Sequence, residues 1–435
     1  MPAEPEVAAA GTVVELPFGK GTLPLALPAG ALVLRLPPAA PLRQPRRALA
    51  AALDQPLGTP PLAELAAGRR RACIVICDIT RPVPNRLLLP GLLSRLEGAG
   101  LPASRIHILI ATGTHRPATP REVIHLVGRT IARRYQVHNH HCQEADAAEP
   151  VGTTSRGIPV QVNRRYREAD LRILTGLIEP HLMAGWSGGR KAICPGICSL
   201  QTIKGVHAPE LLAHRLATNG SLDGNPVHEQ LLEAARLAGA DFIVNVTLDA
   251  QRRPTGIFAG DLDQAHRAGV AQARGECQVS LPWQADVVVT SCGGYPLDAT
   301  LYQGAKGLAA ALPVLRPGGC IVMAASCQEG IGSEDFRRAL RQYTPEEFKW
   351  RLRQPGFYLF EQWQLQAICQ AALRARLFLV TTRNAELAEA QGNGWLAACD
   401  HAEEALARAR RVAGGGRLAV MPAGPYLLPR WQPRL

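Results

Sequence analysis

The sequence predicts an α/β fold of two domains, with mainly parallel sheets and an active-site cleft between them. Its 435 residues exceed what one ordinary core holds. Apolar strands alternate with polar turns and helices, which is typical of parallel sheets. The hydrophobic content of 47% and the charged content of 19% are those of a globular protein. We expect an N-terminal α/β domain over residues 1–270 and a Rossmann-like domain over 271–435, whose last residues can pack back on the first domain.

The first domain is predicted from apolar runs that each end at a polar turn. Residues 12–36 form two short strands around Pro and Gly turns, and longer elements follow them: helices at 44–54, 84–99 and 120–133, and strands at 71–79, 106–111 and 171–177. In parallel sheets the reactive groups lie beyond the carboxyl ends of the strands. The polar turns that follow these three strands are therefore the expected place of the site.

The second domain has the same alternation from about residue 270 onward. Strands are predicted at 285–291, 320–325, 376–381 and 417–421. Helices are predicted at 299–315, 333–341, 345–353, 361–375 and 402–413. Glycine turns separate several of these elements. We find no internal repeat and no long low-complexity linker, which favours two packed α/β domains.

Composition disfavours several classes of function. The net charge of +12 comes from scattered arginines, and no long basic run is interleaved with aromatic residues. We therefore expect no nucleic-acid partner. A nucleic-acid-binding protein would show steeply salt-dependent binding to duplex DNA. A positive field suits small anionic substrates equally well. The eleven cysteines include no C-x2-C pair, which favours reduced thiols. With no leader pattern and no run of about 18 apolar residues, we expect a cytoplasmic protein without a membrane partner.

Lys191 is the most conspicuous candidate because lysine is scarce. Only five of the 48 basic residues are lysines, and this one lies in a glycine turn with the sequence SGGRKAICPG. An amine can lose its proton and act as a nucleophile, whereas arginine stays protonated. The alternative is a flexible surface loop whose lysine only carries charge. A G-x4-G-K-[ST] loop needs Gly before the lysine and Ser or Thr after it, but Arg190 and Ala192 occupy these positions, which disfavours nucleoside triphosphates. No G-x-G-x-x-G turn follows a strand, which disfavours nicotinamide cofactors.

Two strand ends carry groups suited to acid–base or carboxylate chemistry. Asp78 and Arg81 follow the first of the three strands, and Arg81 could clamp a substrate carboxylate; a turn held by an Asp hydrogen bond is the alternative. His115 follows the second strand and suits a general base, although a structural histidine at a strand end is also compatible.

Two further groups are less specific. Lys306 lies with Tyr302 and Gln303 on a predicted helix of the second domain, where it could complete a carboxylate site or face solvent. A dense histidine run has the composition of a metal site but no diagnostic spacing, so we favour a structural or rim role for its members: His138, His140 and His141.

Six motifs occur in a fixed order between Asp78 and Lys306. They are D-x-T-R-P, G-T-H-R, E-P-H, G-G-x-K-x-I-x-P-G, a later histidine and Y-Q-G-x-K. Together they resemble the nickel-dependent lactate racemase family. The resemblance implies a nickel-pincer nucleotide (pyridinium-3,5-bisthiocarboxylic acid mononucleotide with nickel) linked covalently to Lys191 through a thioamide. His207 would then complete the nickel coordination, and imidazole beside sulfur ligands suits Ni(II).

The resemblance also implies roles for the other matched residues. His115 and His181 correspond to two acid/base histidines on opposite faces of the substrate. Cofactor contacts are implied for one set: Asp78, Ser187, Gly188, Gly189, Pro195 and Gly196. Substrate contacts are implied for a second set: Arg81, Tyr302, Gln303 and Lys306.

The implied reaction is racemisation or epimerisation of a lactate-like 2-hydroxy acid. Loss of the hydroxyl proton and transfer of hydride to the cofactor give a planar 2-keto acid, and return of the hydride to its other face inverts the centre. Two bases are needed because the hydroxyl lies on a different side in each enantiomer. Two alternatives stay open: the same chemistry on a sugar acid, malate or an aryl hydroxy acid, and a non-catalytic member that binds small carboxylates. Three residues near the motifs could shape a pocket for a larger substrate or could equally serve the core or a lid: Met183, Trp186 and Tyr295.

The implied partners are the small 2-hydroxy acid and the enzymes that synthesise the cofactor. A recombinant chain produced without those enzymes is expected to lack the cofactor and to keep Lys191 as a free amine. The sequence is compatible with a homo-oligomer.

Overall fold

A six-stranded sheet organises the first half of the chain in the computed structural model, which describes residues 4–144 and 147–432. Its strands, from one edge to the other, are Pro254–Gly260, Phe242–Leu248, Leu171–Leu177, Ala72–Cys77, Ile106–Ala111 and Gln136–Asn139. All neighbours are parallel except the first pair, which is antiparallel. The carboxyl ends of the three central predicted strands therefore meet at one edge of the sheet, as the sequence indicated.

A seven-stranded sheet organises the second half. Its order is Glu6–Val7, Leu32–Val33, Leu418–Met421, Ala285–Ser291, Leu315–Ala324, Arg376–Val380 and Ala397–Cys399. Only the pairing of the first two strands is antiparallel. A mixed α/β fold with mainly parallel sheets is thereby confirmed.

The beginning of the chain departs from the predicted division into residues 1–270 and 271–435. Leu32–Val33 pairs with the second sheet, and the Leu34 amide donates to the Val420 carbonyl at 2.8 Å. The antiparallel hairpin of Val13–Phe18 and Gly21–Ala26 packs its leucines into the same core as the central strand of that sheet. Burial of these apolar side chains outweighs proximity in sequence. We therefore propose that residues up to 34 belong to the second domain.

Helices flank both sheets. In chain order they are Pro45–Asp54, Leu62–Ala66, Asn85–Gly98, Pro120–Val127, Arg129–Arg134, Arg164–Arg167, Leu200–Val206, Pro209–Leu212, Pro226–Ala238, Gln264–Cys277, Leu301–Ala311, Glu334–Gln342, Pro345–Arg351, Gln362–Ala372, Ala388–Gly392 and Ala402–Val412. The single helix predicted over 120–133 is divided at Gly128, whose φ of 86° is accessible to glycine. The helix predicted over 299–315 gives way to a 3-10 turn at Leu312–Val314, and the strand predicted from 320 begins at Leu315.

Three short strand pairs complete the fold: Pro180–His181 with Gly185–Trp186, Ala148–Thr153 with Pro159–Asn163, and Gln278–Leu281 with Leu428–Trp431. The last pair brings the chain terminus against the first domain, because Leu428 packs with Ile178, Trp186 and Leu222. Within residues 4–144 and 147–432, no helix is both long and apolar enough to cross a membrane.

Four buried histidines lead to a prediction about acid stability. Burial lowers the pKa of each of them below the usual value: His140, His207, His228 and His266. The unfolded chain therefore binds more protons below about pH 6.5, and folding stability falls as the pH drops, by up to about 1.4 kcal/mol per pH unit for each histidine. We expect the Tm to fall by several degrees between pH 7.5 and pH 5.5. The variant His228→Gln should fall less steeply, and an unchanged Tm in the parent chain would contradict the assignment of neutral buried histidines.

Candidate active site

A cleft lies where the carboxyl ends of the central first-sheet strands meet the second domain. Its cavity volume is about 160 Å³. The second domain closes it with the first turns of the helices Leu301–Ala311 and Gln362–Ala372. The cleft is lined by all but one of the residues that sequence analysis assigned to the site: Asp78, Arg81, His115, His181, Ser187, Gly188, Lys191, Pro195, Gly196, His207, Tyr302, Gln303 and Lys306.

The turn that carries Lys191 is a packed segment rather than a flexible surface loop. The Ser187 hydroxyl donates to the Leu177 carbonyl at 2.6 Å and accepts from the Glu179 amide at 2.9 Å. Gly188 has a φ of 77°, and a Cβ there would lie 2.5 Å from Asn245 Oδ1. A side chain at Gly188 would therefore be both strained and obstructed. These contacts hold the backbone that presents Lys191 to the cleft.

Gly189 is the one assigned residue that does not line the cleft. Its amide donates to Asn245 Oδ1 at 2.7 Å, and a Cβ would lie 3.0 Å from the ring of His266. The glycine therefore allows the turn to pack closely on the helix Gln264–Cys277 behind it. It supports the cleft from outside, whereas the sequence motif had grouped it with cofactor contacts.

The Lys191 amine is readily deprotonated. Burial lowers its pKa to about 7, and the neighbouring charges of Arg190 and Arg81 add to the effect. Burial and the Arg81 charge also lower the pKa of Lys306, to about 8. At neutral pH a substantial fraction of Lys191 is consequently a neutral amine, the form that acts as a nucleophile.

His115 is paired with a carboxylate. Its Nδ1 lies 2.7 Å from Asp78 Oδ2, and the Thr80 hydroxyl donates to Asp78 Oδ1 at 2.6 Å. Burial alone would raise the pKa of Asp78, but these hydrogen bonds hold it below the usual value. The ionised Asp78 accepts a hydrogen bond from His115 Nδ1–H, which leaves a lone pair on His115 Nε2. This arrangement suits proton uptake at Nε2.

His181 has the opposite hydrogen-bond polarity to His115: its Nδ1 accepts hydrogen bonds, whereas Nδ1 of His115 donates one. Its Nδ1 lies 3.4 Å and 3.2 Å from the amide nitrogens of Met183 and Ala184, both of which donate to it. Burial holds the pKa of His181 well below its usual value, and the charges of Lys191 and Arg81 act in the same direction. The ring is therefore neutral with its proton on Nε2, which can donate a hydrogen bond to a ligand in the cleft.

His207 has one ring nitrogen that is available to a ligand. It follows the helix Leu200–Val206, and its Nδ1–H donates to the Ile203 carbonyl at 2.8 Å. Burial lowers the pKa of His207 to about 4, so the imidazole is neutral and the Nε2 lone pair is available. The ring of Trp363 packs against it, with 4.8 Å between the ring centroids and 34° between the planes.

The cleft offers few side chains that could bind a metal, so a metal bound here would be held mainly by an organic ligand. No cluster of three or more His, Cys, Asp or Glu side chains able to hold a metal occurs among residues 4–144 and 147–432. Cys77 lines the cleft, but burial raises the pKa of its thiol to about 12, which disfavours the thiolate. His207 thus offers one soft nitrogen donor, and the remaining ligands would come from an organic group.

Several side chains that line the cleft can bind the carboxylate or the hydroxyl of a hydroxy acid. Arg81 Nη1 lies 2.9 Å from Glu179 Oε1, with both side chains mostly buried. Gln303 Oε1 is buried and has no hydrogen-bond partner in the described part of the chain. The Trp363 indole donates to Tyr302 Oη at 3.2 Å. A carboxylate would meet the Lys306 and Arg81 cations here, and a ligand hydroxyl could donate to the open Gln303 oxygen.

The helix Gln362–Ala372 contributes to the cleft, which no sequence motif predicted. Trp363 and Gln364 line the cleft, and Glu361 precedes them in a left-handed conformation with a φ of 62°. These residues belong to no motif, so the only available signal was an unusually polar and aromatic helix start, Glu-Gln-Trp-Gln.

Three residues had either a pocket role or a core or lid role open to them, and one of them lines the cleft. Met183 lines the cleft, whereas Trp186 is fully buried elsewhere and Tyr295 is 41% exposed. The histidine run lies outside the cleft lining: His140 Nε2 is 2.8 Å from the Cys198 carbonyl, a structural contact.

Both halves of the chain match models of known domains. Residues 18–220 match the lactate racemase N-terminal domain, and residues 281–426 match the lactate racemase C-terminal domain. A crystal structure of a protein from Thermotoga maritima shares the fold, with a TM-score of 0.68 at 19% identity over 92% of this chain and all of that one.

Two curated relatives are closer in sequence. The lactate racemase of Thermoanaerobacterium thermosaccharolyticum is 36% identical over 333 residues, 76% of this chain and 78% of the relative. That of Lactiplantibacillus plantarum is 38% identical over 297 residues, 68% of this chain and 70% of the relative. The structure of the Thermoanaerobacterium apoprotein superposes with a TM-score of 0.88 at 32% identity over 96% of this chain and all of that one. The chain thus belongs to the lactate racemase family.

Proposed function

We propose that this chain racemises lactate or a close 2-hydroxy acid with a nickel-pincer nucleotide linked to Lys191. The observation that carries the proposal is the meeting of four groups in one cleft: a lysine of lowered pKa, a neutral histidine with a free Nε2, and two further histidines of opposite hydrogen-bond polarity. Family membership implies a nickel-dependent cofactor. When bound, this cofactor supplies a hydride acceptor beside the substrate carbon.

The residues that line the cleft would bind the cofactor, the nickel and the substrate. Lys191 would hold the cofactor, and His207 Nε2 would hold the nickel. Lys306 and Arg81 would bind the substrate carboxylate, and Gln303 would orient the hydroxyl. The second domain covers the cleft with Trp363 and limits access of water.

The two histidines would exchange protons with the substrate hydroxyl. His115, polarised by Asp78, accepts the hydroxyl proton of one enantiomer at Nε2. His181 first takes up a proton from water, and as an imidazolium it returns a proton from Nε2 to the keto oxygen on the opposite side. His115 then releases its proton to water, which resets the cycle. In the reverse direction each histidine takes the other role, as microscopic reversibility requires. The reaction therefore needs one base and one acid at the start. The hydrogen bonds favour the base form of His115, whereas the acid form of His181 requires the uptake of a proton.

A panel of substrates tests the proposal. The chain is co-produced with cofactor-synthesising enzymes and incubated with single enantiomers of lactate, malate and mandelate, and the enantiomeric ratio is followed by chiral chromatography. Lactate should racemise fastest, because the relatives are lactate racemases. Among the described lining residues, Lys306 is the one lysine or arginine besides Arg81, which is paired with Glu179, and Lys191, the proposed anchor, so a second substrate carboxylate has no further cation to bind. A cofactor-loaded chain that converts none of the three would favour the non-catalytic carboxylate-binding alternative.

Asp78→Asn is expected to lower kcat by about 10² with little change in KM. The amide keeps the size of the carboxylate but no longer stabilises the Nδ1–H form of His115 or its protonated state. The matched control is Asp54→Asn, which breaks the Arg95–Asp54 ion pair at 2.9 Å on the surface. Equal effects of the two substitutions on kcat would remove Asp78 from the proton transfer.

The expected location and partners extend this proposal. All eleven cysteines are free thiols, which supports a reducing, cytoplasmic location. The enzymes that synthesise the cofactor are the proposed partners, and a homo-oligomer remains a prediction that a measured solution mass would test.

A further inference from the structure

A second pocket lies at the junction of the two domains and takes no part in the chemistry described above. Its cavity volume is about 290 Å³. The first domain lines it with residues 79–86, the end of the helix Pro120–Val127 and Arg252, and the second domain lines it with Leu297 and Tyr426. Residues 80 and 81 also line the cleft, so the two spaces adjoin. We call this space the junction pocket.

The lining of the junction pocket is basic. It includes three arginines, Arg81, Arg86 and Arg252, and no Asp or Glu is among the described residues that line it. Glu179 neutralises Arg81, with 2.9 Å between Oε1 and Nη1. The uncompensated positive charge therefore comes from the other two arginines. A pocket with cations and without carboxylates attracts a negatively charged ligand.

Arg252 has no ion pair within residues 4–144 and 147–432. The carboxylate of its own turn, Asp249, is engaged by Arg253, whose Nε lies 2.7 Å from Oδ2. The Arg252 amide donates to the Asp249 carbonyl at 2.9 Å, which fixes the backbone of this turn. The Arg252 side chain is exposed. Its guanidinium is thus available to a ligand that enters from solvent.

Arg86 is held by carbonyl groups. Its Nε and Nη2 donate to two carbonyls at the end of the helix Pro120–Val127, at 3.2 Å and 3.3 Å. No carboxylate pairs with it in the described part of the chain. The carbonyls therefore keep the guanidinium in place but do not neutralise its charge.

The helix Asn85–Gly98 begins at the junction pocket without a side-chain cap among the residues described. Such a helix start carries partial positive charge and attracts anions. Asn85 itself is 2% exposed, and neither its Oδ1 nor its Nδ2 has a hydrogen-bond partner among those residues. Buried amides without partners are rare. A further polar group is therefore expected beside Asn85.

The second domain offers a hydroxyl group to the same pocket. Tyr426 is half-buried, and its hydroxyl bonds to no other residue in the ranges 4–144 and 147–432. A phenolic hydroxyl can donate to an oxyanion. A ligand that contacts both Arg252 and Tyr426 would bridge the two domains.

We propose that the junction pocket binds a small oxyanion, a carboxylate or a phosphate. The guanidinium groups of Arg86 and Arg252 would be its charge partners, and Asn85 and Tyr426 would complete its hydrogen bonds. Guanidinium groups recognise both kinds of oxyanion. A cavity of about 290 Å³ is near the lower end of the size range of small-molecule sites, which fits a phosphate or a hydroxy acid of a few carbons. This site is separate from the cleft and needs no cofactor.

Thermal unfolding of the full-length chain, produced without the cofactor-synthesising enzymes, tests the inference. Inorganic phosphate, L-lactate and the neutral lactamide are added separately at constant ionic strength, and a Kd is obtained from the rise of Tm with ligand concentration. Lys306→Gln is the background, because it removes a cation of the cleft and weakens binding there. We expect a saturable rise with phosphate, with lactate or with both, and none with lactamide. The anion that binds more tightly identifies the site as one for phosphates or for carboxylates.

Three substitutions in this background locate the binding. Arg252→Gln should raise the Kd at least about tenfold, because a charge-assisted hydrogen bond is lost. Tyr426→Phe removes only a hydroxyl from the opposite domain and should raise the Kd about threefold. The matched control is Arg215→Gln, at an exposed arginine that lies outside the pocket and has no ion pair among the described residues, and it should leave the Kd unchanged.

Two results would overturn the inference. One is the absence of a saturable rise in Tm with either anion. The other is the same Kd in Arg252→Gln, Tyr426→Phe and Arg215→Gln, which would assign the binding to the cleft or to the general surface charge.

The binding result is independent of the proposed racemisation. Anion binding that depends on Arg252, in a chain that never racemises a hydroxy acid when loaded with cofactor, would support this inference and contradict the proposed function. An active racemase in which Arg252→Gln binds both anions as tightly as its parent would do the reverse.

Discussion

Lys191→Arg is expected to reduce racemisation to the background rate, a loss of at least about 10⁶-fold. Arginine places a permanent positive charge in the turn, because its guanidinium stays protonated, and it therefore cannot form the thioamide. The turn itself should survive, because its contacts are made by Ser187, Gly189 and Asn245 rather than by the Lys191 amine. Chiral chromatography of lactate, with the chain co-produced with the cofactor-synthesising enzymes, measures the effect.

The matched control for this substitution is Lys20→Arg at an exposed position of the hairpin turn. It makes the same chemical change far from the anchor and should leave activity and Tm unchanged. A Lys191→Arg chain with a normal Tm that retained a tenth of the parent activity would contradict the role of Lys191 as the anchor.

Replacing either acid/base histidine by glutamine is expected to lower kcat about 10³-fold for both enantiomers. Each catalytic cycle uses His115 and His181 once, so the loss of either one blocks interconversion from both sides. The equilibrium constant of a racemisation is one, and kcat/KM therefore falls equally in the two directions. The informative quantity is the size of the loss at each position.

The loss of kcat at each histidine distinguishes a two-histidine mechanism from a single-base mechanism. If one histidine served both faces, the other substitution would cost less than about tenfold. His125→Gln, at an exposed histidine outside the cleft lining, is the control and should be neutral. The double variant should be scarcely slower than either single variant, since the groups act in one cycle.

Much of the fold followed from local patterns. The strands at Ile106–Ala111, Leu171–Leu177 and Ala285–Ser291 have the predicted bounds, because each apolar run ends at a polar or glycine turn that cannot continue it. The pairing of Leu32–Val33 with the second sheet was not predictable in this way. It depends on contact with residues near 420, and two-residue strands leave no periodicity to detect.

The candidate site was predictable where motifs carried it. The scarcity of lysine drew attention to Lys191 and Lys306, and both line the cleft. Trp363 was missed because its position follows from docking of a helix across the cleft, which no local pattern encodes. The different hydrogen-bond polarity of the two histidines was equally hidden, since it depends on Asp78 for one ring and on backbone amides for the other.

The anchoring of the cofactor is the central claim, and the mass of the peptide that contains Lys191 tests it most directly. The chain is co-produced with the cofactor-synthesising enzymes, and intact mass, nickel content and the mass of the Lys191 peptide are measured on the same sample. The account predicts about one nickel per chain and an added mass localised to Lys191, both absent from Lys191→Arg. An unmodified Lys191 peptide in a nickel-free chain that nevertheless racemises lactate would contradict it.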